Sequence, residues 1–194
     1  MDKKEAFDLI KAWFILSLAF AIVFNSGKLL DASIIFTFIV SAITVGLGFI
    51  LHEMGHRTLA RRYGATAEFV ASNTMLGLAL MMSFFGFIFA APGAVVIRGY
   101  LTKRKYGYIS MAGPLTNIIL GALFLLTAMF VPMQMIMTVC VVGMKINFWL
   151  ALFNMLPFPM FDGAKVLHWN KIVYAVMLAV SVIAVFGSEY LLAV

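Results

Sequence analysis

The residues His52-Glu53-Met54-Gly55-His56 are where this chain's chemistry concentrates. On a helix, positions i and i+4 share a face, so two imidazoles at that spacing can grip one metal ion. Glu53 follows the first histidine, where a carboxylate can take a proton from a metal-activated water. A catalytic zinc usually takes three protein ligands and keeps one position for water. The metzincin extension does not supply the third, because Leu59 and Arg62 stand where it needs glycine and histidine. The one cysteine, Cys140, excludes a Cys-based zinc site and an internal disulfide. The remaining histidine, His168, sits beside Trp169 and reads as interfacial. Among the carboxylates, Asp2, Glu5 and Asp8 read as an N-terminal tail, and Asp31 and Glu189 fall on the opposite membrane face once the basic clusters orient the chain. Glu68, twelve residues past His56, stays open as a ligand. Asp162 is the preferred candidate, within Asn154-Met155-Leu156-Pro157-Phe158-Pro159-Met160-Phe161-Asp162-Gly163. The prolines break a helix there and Gly163 permits a tight turn. A carboxylate among Phe, Met and Pro needs a partner, and a metal would satisfy it.

These residues must be positioned by elements that sit in lipid. Of the 194 residues 64% are hydrophobic and 11% charged, far from the roughly 45–50% and 25% of soluble domains. The excess gathers in runs at 9–25, 33–60, 75–97, 106–131, 133–156 and 171–193. Apolar runs of about 18 or more residues read as transmembrane helices. The His52–His56 motif ends one such run, where ionisable groups are costly and functional. The expected fold is an all-α membrane protein, a polytopic bundle of about five to six transmembrane helices in a single domain over 1–194.

The net charge of +6 reads as basic loops against an anionic leaflet, with no nucleic-acid partner. Basic residues cluster at 3–11, 57–62, 98–105 and 165–171. If those loops are cytoplasmic, the N-terminus is inside, and residues 33–60 run inward and bring His52 and His56 near the cytoplasmic face. The stretch 75–97 is long enough to cross, yet both its flanks are basic. Residues 68–98 are therefore read as a re-entrant or β-hairpin element that enters and leaves on one side, with Ala91-Pro92-Gly93-Ala94 as a turn. Asp162 then lies at the depth of His52 and His56.

The motif at 52–56, followed by Asn154-x-x-Pro157-x-x-x-x-Asp162-Gly163, resembles the site-2 protease family of intramembrane zinc metalloproteases. Ala112-Gly113-Pro114-Leu115-Thr116-Asn117 is similar to a third signature of that family. The resemblance covers about residues 33–165. It implies a single zinc ion on His52, His56 and Asp162, and Glu53 as general base and then acid. It also implies a role for Asn154 near the scissile carbonyl or in ordering the site. The implied partners are a transmembrane protein substrate and the lipid bilayer, in the cell membrane with the active site toward the cytoplasm. Oligomeric state carries no signal. The chain departs from the common Asp-Gly-Gly with Asp162-Gly163-Ala164-Lys165. Two alternatives stand beside this reading: a membrane zincin that cuts soluble or unfolded chains, and a non-catalytic metal-binding membrane protein. The 112–117 residues themselves read blandly, with Pro114 starting or kinking a helix and Asn117 packing against a neighbouring helix. Asn147 and Asn154 are two turns apart and share a face, so both could face the site.

Overall fold

A computed structural model describes residues 1–25, 31–88 and 92–191. Its elements run α1 (Lys3–Phe24), α2 (Ser33–Ser41), a π-helical turn (Ala42–Gly46), α3 (Leu47–Arg62), β1 (Thr66–Ala71), α4 (Asn73–Ser83), β2 (Gly93–Arg98), α5 (Lys103–Phe130), α6 (Gln134–Asn154), α7 (Asp162–Trp169) and α8 (Lys171–Leu191). Five helices are long and apolar enough to cross a membrane: Lys3–Phe24, Ser33–Arg62, Lys103–Phe130, Gln134–Asn154 and Lys171–Ser188. At most 44% of the residues in any of these apolar windows are buried inside the protein. The remainder leaves side chains such as Phe130, Ile172 and Ile183 facing outward. Apolar surface on that scale requires an apolar solvent, which a bilayer provides. The protein is a multi-pass membrane protein of helical architecture.

The sixth apolar run is not a sixth long helix. Between β1 and β2 lies α4, 11 residues long, about 16 Å at 1.5 Å per residue and short of a ~30 Å core. The two strands pair antiparallel, from Thr66 opposite Arg98 to Ala71 opposite Gly93. Gly93 and Ala94 belong to β2 and not to a turn, and Ala91 lies outside the described residues. Gly93 is needed for close approach, since a methyl group there would strike the Phe69 ring and the Val70 carbonyl.

The N-terminal carboxylates are structural parts of this hairpin. Helix α1 begins at Lys3, capped by the Asp2 side chain, and Glu5 and Asp8 are buried. Glu5 accepts from the Phe69 N–H at 3.1 Å and from the Arg57 guanidinium, while Asp8 accepts from the Ala71 N–H at 3.3 Å. Arg61 donates to the Ala67 carbonyl at 2.9 Å. The outward backbone groups of β1 are thus bonded to α1 and α3, which hides one edge of the ribbon. Residues opposite these, Gly93, Val95 and Ile97, point their own backbone groups away from β1. Among the described residues no strand pairs with that edge of β2.

Helix α3 ends as its sequence requires. Gly64 takes φ +86°, the Ala65 N–H reaches Ala60 O at 3.1 Å and the Gly64 N–H reaches Arg61 O at 3.0 Å, the Schellman pattern. Its start is less regular. In the π turn the Leu47 N–H bonds back to Ala42 O, so one extra residue shifts the helical phase of α3. The Trp13 indole donates to Ala42 O at 3.1 Å and covers Gly46, where a methyl group would strike its ring.

Candidate metal centre

Helices α3, α5 and α7 build the centre. His52 and His56 lie one turn apart on α3, and both are buried. Asp162 opens α7 and is buried as well. The histidine pair and the distant aspartate meet: His52 Nε2 to His56 Nε2 is 3.0 Å, His52 Nε2 to Asp162 Oδ2 is 3.3 Å, and His56 Nε2 to Asp162 Oδ2 is 2.9 Å. Among the described residues they form a group able to hold a metal ion. Glu68 is exposed on β1 and outside that group. His168 is exposed on α7.

The hydrogen bonds around the rings show why the group fits a cation. His52 Nδ1 donates to Asn117 Oδ1 at 2.6 Å, and His56 Nδ1 donates to the Ile109 carbonyl at 2.7 Å. In a neutral imidazole one nitrogen carries hydrogen and the other a lone pair. Both Nε2 lone pairs, and Oδ2 of Asp162, therefore converge on one point. Three acceptors crowded at 2.9–3.3 Å are mutually repulsive unless a cation lies among them. Their separations approach the ~3.3 Å edge of a tetrahedron with ligand bonds of about 2.0–2.1 Å, as zinc prefers. The other carboxylate oxygen, Oδ1, pairs with Lys165 Nζ at 3.0 Å. Burial draws the Lys165 pKa down, but Asp162 outweighs it and the net shift is upward. Lys165 thus steadies the ligand carboxylate from its second oxygen.

Glycines make the approach possible. A methyl group on Gly113 of α5 would overlap the Nε2 atoms of both histidines. One on Gly55 would meet the Thr116 hydroxyl at 2.9 Å and the Ala112 carbonyl at 3.2 Å, so the glycine inside the histidine motif sets the α3–α5 spacing. Gly163 is helical, not a left-handed turn residue. A methyl group there would strike the carbonyls of Met155 and Leu156, so it lets the 155–161 loop fold over the start of α7. Gly113→Ala is expected to weaken zinc binding about 10–100-fold, the equivalent of the ~1–3 kcal/mol of overpacking strain. Chelator competition on purified protein measures it, and unchanged affinity would show that the rings do not need this space.

Glu53 is buried next to the ligands, on the face of α3 that packs against β2, with the Val95 backbone near its carboxylate. The base candidate and the open strand edge thus lie side by side. Asn117 packs between helices, bonding α5 to α3 and α6, and one of its bonds also reaches a ligand ring. Pro114 neither starts α5 nor ends it; it lies inside the helix, beside the glycine that seats the rings. Asn154 donates to Leu150 O at 2.9 Å, and none of its hydrogen bonds among the described residues reaches the three ligands. The signal for Gly113 and Asn117 lay in the 112–117 segment, but their contacts depend on how α5 crosses α3.

A helical membrane protein with a His-His-Asp donor group defines a class, the membrane-embedded metalloproteins with a zinc-hydrolase motif. Comparison with known proteins narrows it. The chain is 48% identical over 147 residues to a Methanocaldococcus jannaschii protein named "Putative zinc metalloprotease MJ0611", covering 74% of this chain and 76% of that one. The chain belongs to the same zinc metalloprotease family. No family model matches it, and no solved structure matches it.

Proposed function

We propose that this protein is an intramembrane zinc metalloendopeptidase of the site-2 protease type, cutting transmembrane segments of membrane-protein substrates. The convergence of three ligand atoms inside an apolar helical bundle, with Glu53 beside them, carries the reading. His52, His56 and Asp162 hold one zinc ion. When bound there, zinc would supply polarisation of a peptide carbonyl and lower the pKa of a water toward about 7. Glu53 accepts a proton from the attacking water and returns it to the leaving nitrogen. Asn154 stands half-buried at the end of α6 and, by the family pattern, orders the site near the scissile carbonyl.

A helical substrate shields its peptide bonds and must be opened before it can be cut. The outward edge of β2 suits an extended chain, because main-chain hydrogen bonds there favour β-augmentation. Val95 on that edge lies near Glu53, so a strand laid along it passes the base. The 66–98 hairpin enters and leaves the membrane on one side, as its antiparallel pairing and short α4 favour. The basic clusters favour a centre toward the cytoplasm of a cell membrane.

The test is a choice of substrate. Purified protein in liposomes, given a single-span membrane protein and an unfolded soluble chain, is expected to cleave only the first, at a bond that mass spectrometry places within the span. Cleavage of the soluble chain alone would favour a membrane zincin of the other kind.

A further inference from the structure

We propose that Asn147 is a positioning residue for the metal centre: acting through Asn117, it dictates which nitrogen of His52 is free for the cation. The inference rests on the zinc-site reading above. Asn147 lies on α6, fully buried, and touches none of the three ligands by hydrogen bond. Its Nδ2 donates to Gly143 O at 2.9 Å and lies 3.5 Å from Thr44 O in the π turn. Those two carbonyls decide which end of the amide is nitrogen. Oδ1 is left facing Asn117 and accepts from its Nδ2 at 2.9 Å. The same Nδ2 of Asn117 also donates to Gly48 O at 3.2 Å, and the two acceptors together fix the orientation of the second amide. Asn117 Oδ1 then faces His52 Nδ1 at 2.6 Å and admits only the tautomer with hydrogen on Nδ1.

The direction of the bonds in this relay is set by backbone carbonyls, Gly143 and Thr44 at its far end and Gly48 beside Asn117. Reversing either amide would set two N–H groups or two oxygens against each other in a buried site, at a cost of about 1–3 kcal/mol per unsatisfied group. Gly48 keeps the path open, since a methyl group there would meet Asn147 Oδ1 at 2.5 Å. His56 needs no such relay, because a backbone carbonyl of α5 takes its Nδ1 directly. The two ligands are therefore held by different means, and only His52 depends on helix α6. Partners of this kind typically contribute 10–100-fold to metal affinity when they contact the ligand itself. Asn147 acts one residue further out.

The alternative role is polar packing between helices, which would affect stability alone. Zinc affinity, read by chelator competition on the full chain in detergent, separates the two. So does the visible absorption spectrum of the Co2+-loaded protein. Asn147→Ala is expected to weaken zinc about 10-fold and to change the Co2+ spectrum. Asn117→Ala should lose at least as much, and the double variant should lose no more than about 2–3-fold beyond Asn117→Ala alone, because the outer residue has no other route to His52. Ser181→Ala removes a buried hydroxyl bonded within α8 and should leave zinc affinity unchanged. If Asn147→Ala does not fold, Asn147→Ser is compared in the same cycle. Wild-type affinity and spectrum in the Asn147 variant would overturn the proposal, as would losses that multiply in the double variant. Those results leave zinc bound to the wild type, whereas a wild type without zinc would overturn the metal reading itself.

Discussion

Asp162→Ala is expected to empty the metal centre. The substitution leaves two imidazoles at i and i+4 and no carboxylate among the described residues to complete the group. It also leaves Lys165 without its partner, a cation about one turn from the vacated oxygen and repulsive to any metal held by the histidines. Loss of a ligand together with a new like charge should exceed the 10–100-fold typical of an outer partner, so a weakening of more than about 100-fold is expected. Metal content of the purified variant beside wild type measures it directly. The change should also appear as lost thermal stabilisation, since a ligand at 1,000 times its Kd adds about 4.1 kcal/mol to the folded state. Zinc retained by Asp162→Ala but released by Glu68→Ala would sink this assignment and transfer the third position to β1.

Glu53→Gln should separate binding from chemistry. The amide keeps the volume and a carbonyl oxygen, so the packing of α3 on β2 survives. It cannot take a proton from water at neutral pH. Loss of a positioned general base costs about 10²–10⁴-fold in rate, and here the same group must also protonate the leaving nitrogen. Turnover of a single-span substrate is therefore expected to fall by about that factor while zinc content stays at the wild-type level. Cleavage retained by Glu53→Gln would defeat the mechanism assigned to it. Cleavage lost together with zinc would show Glu53 to be a structural support of the ligands.

Much of the centre was legible because its information is local. The 52–56 spacing needs only a helix to place two imidazoles on one face. Asp162 could be reached by elimination, since few carboxylates exist and two prolines end the helix before it. The basic clusters argued against a crossing at 75–97, and the structure has there an 11-residue helix between two antiparallel strands. The misreadings came from residues whose partners are distant in sequence. Glu5 and Asp8 looked like a solvated tail, but their acceptors meet strand N–H groups more than sixty positions away. Gly163 looked like a turn residue and is instead a contact surface for a loop.

By its own periodicity and composition, the sequence determined that helices would span lipid, that one of them would end in a His-His pair, and that a lone carboxylate would follow a broken helix. Those properties depend on neighbours within a few residues along the chain. Tertiary structure alone decided that Asp162 Oδ2 lies within 3.3 Å of both Nε2 atoms, and that Gly113 leaves room for both rings. It also decided that Asn117 and the Ile109 carbonyl turn the lone pairs of those rings inward. Each of these depends on the crossing of α3, α5, α6 and α7, and on a π turn that resets the phase of α3. Crossing angles and phase arise from packing over the whole bundle, and no short stretch of residues encodes them.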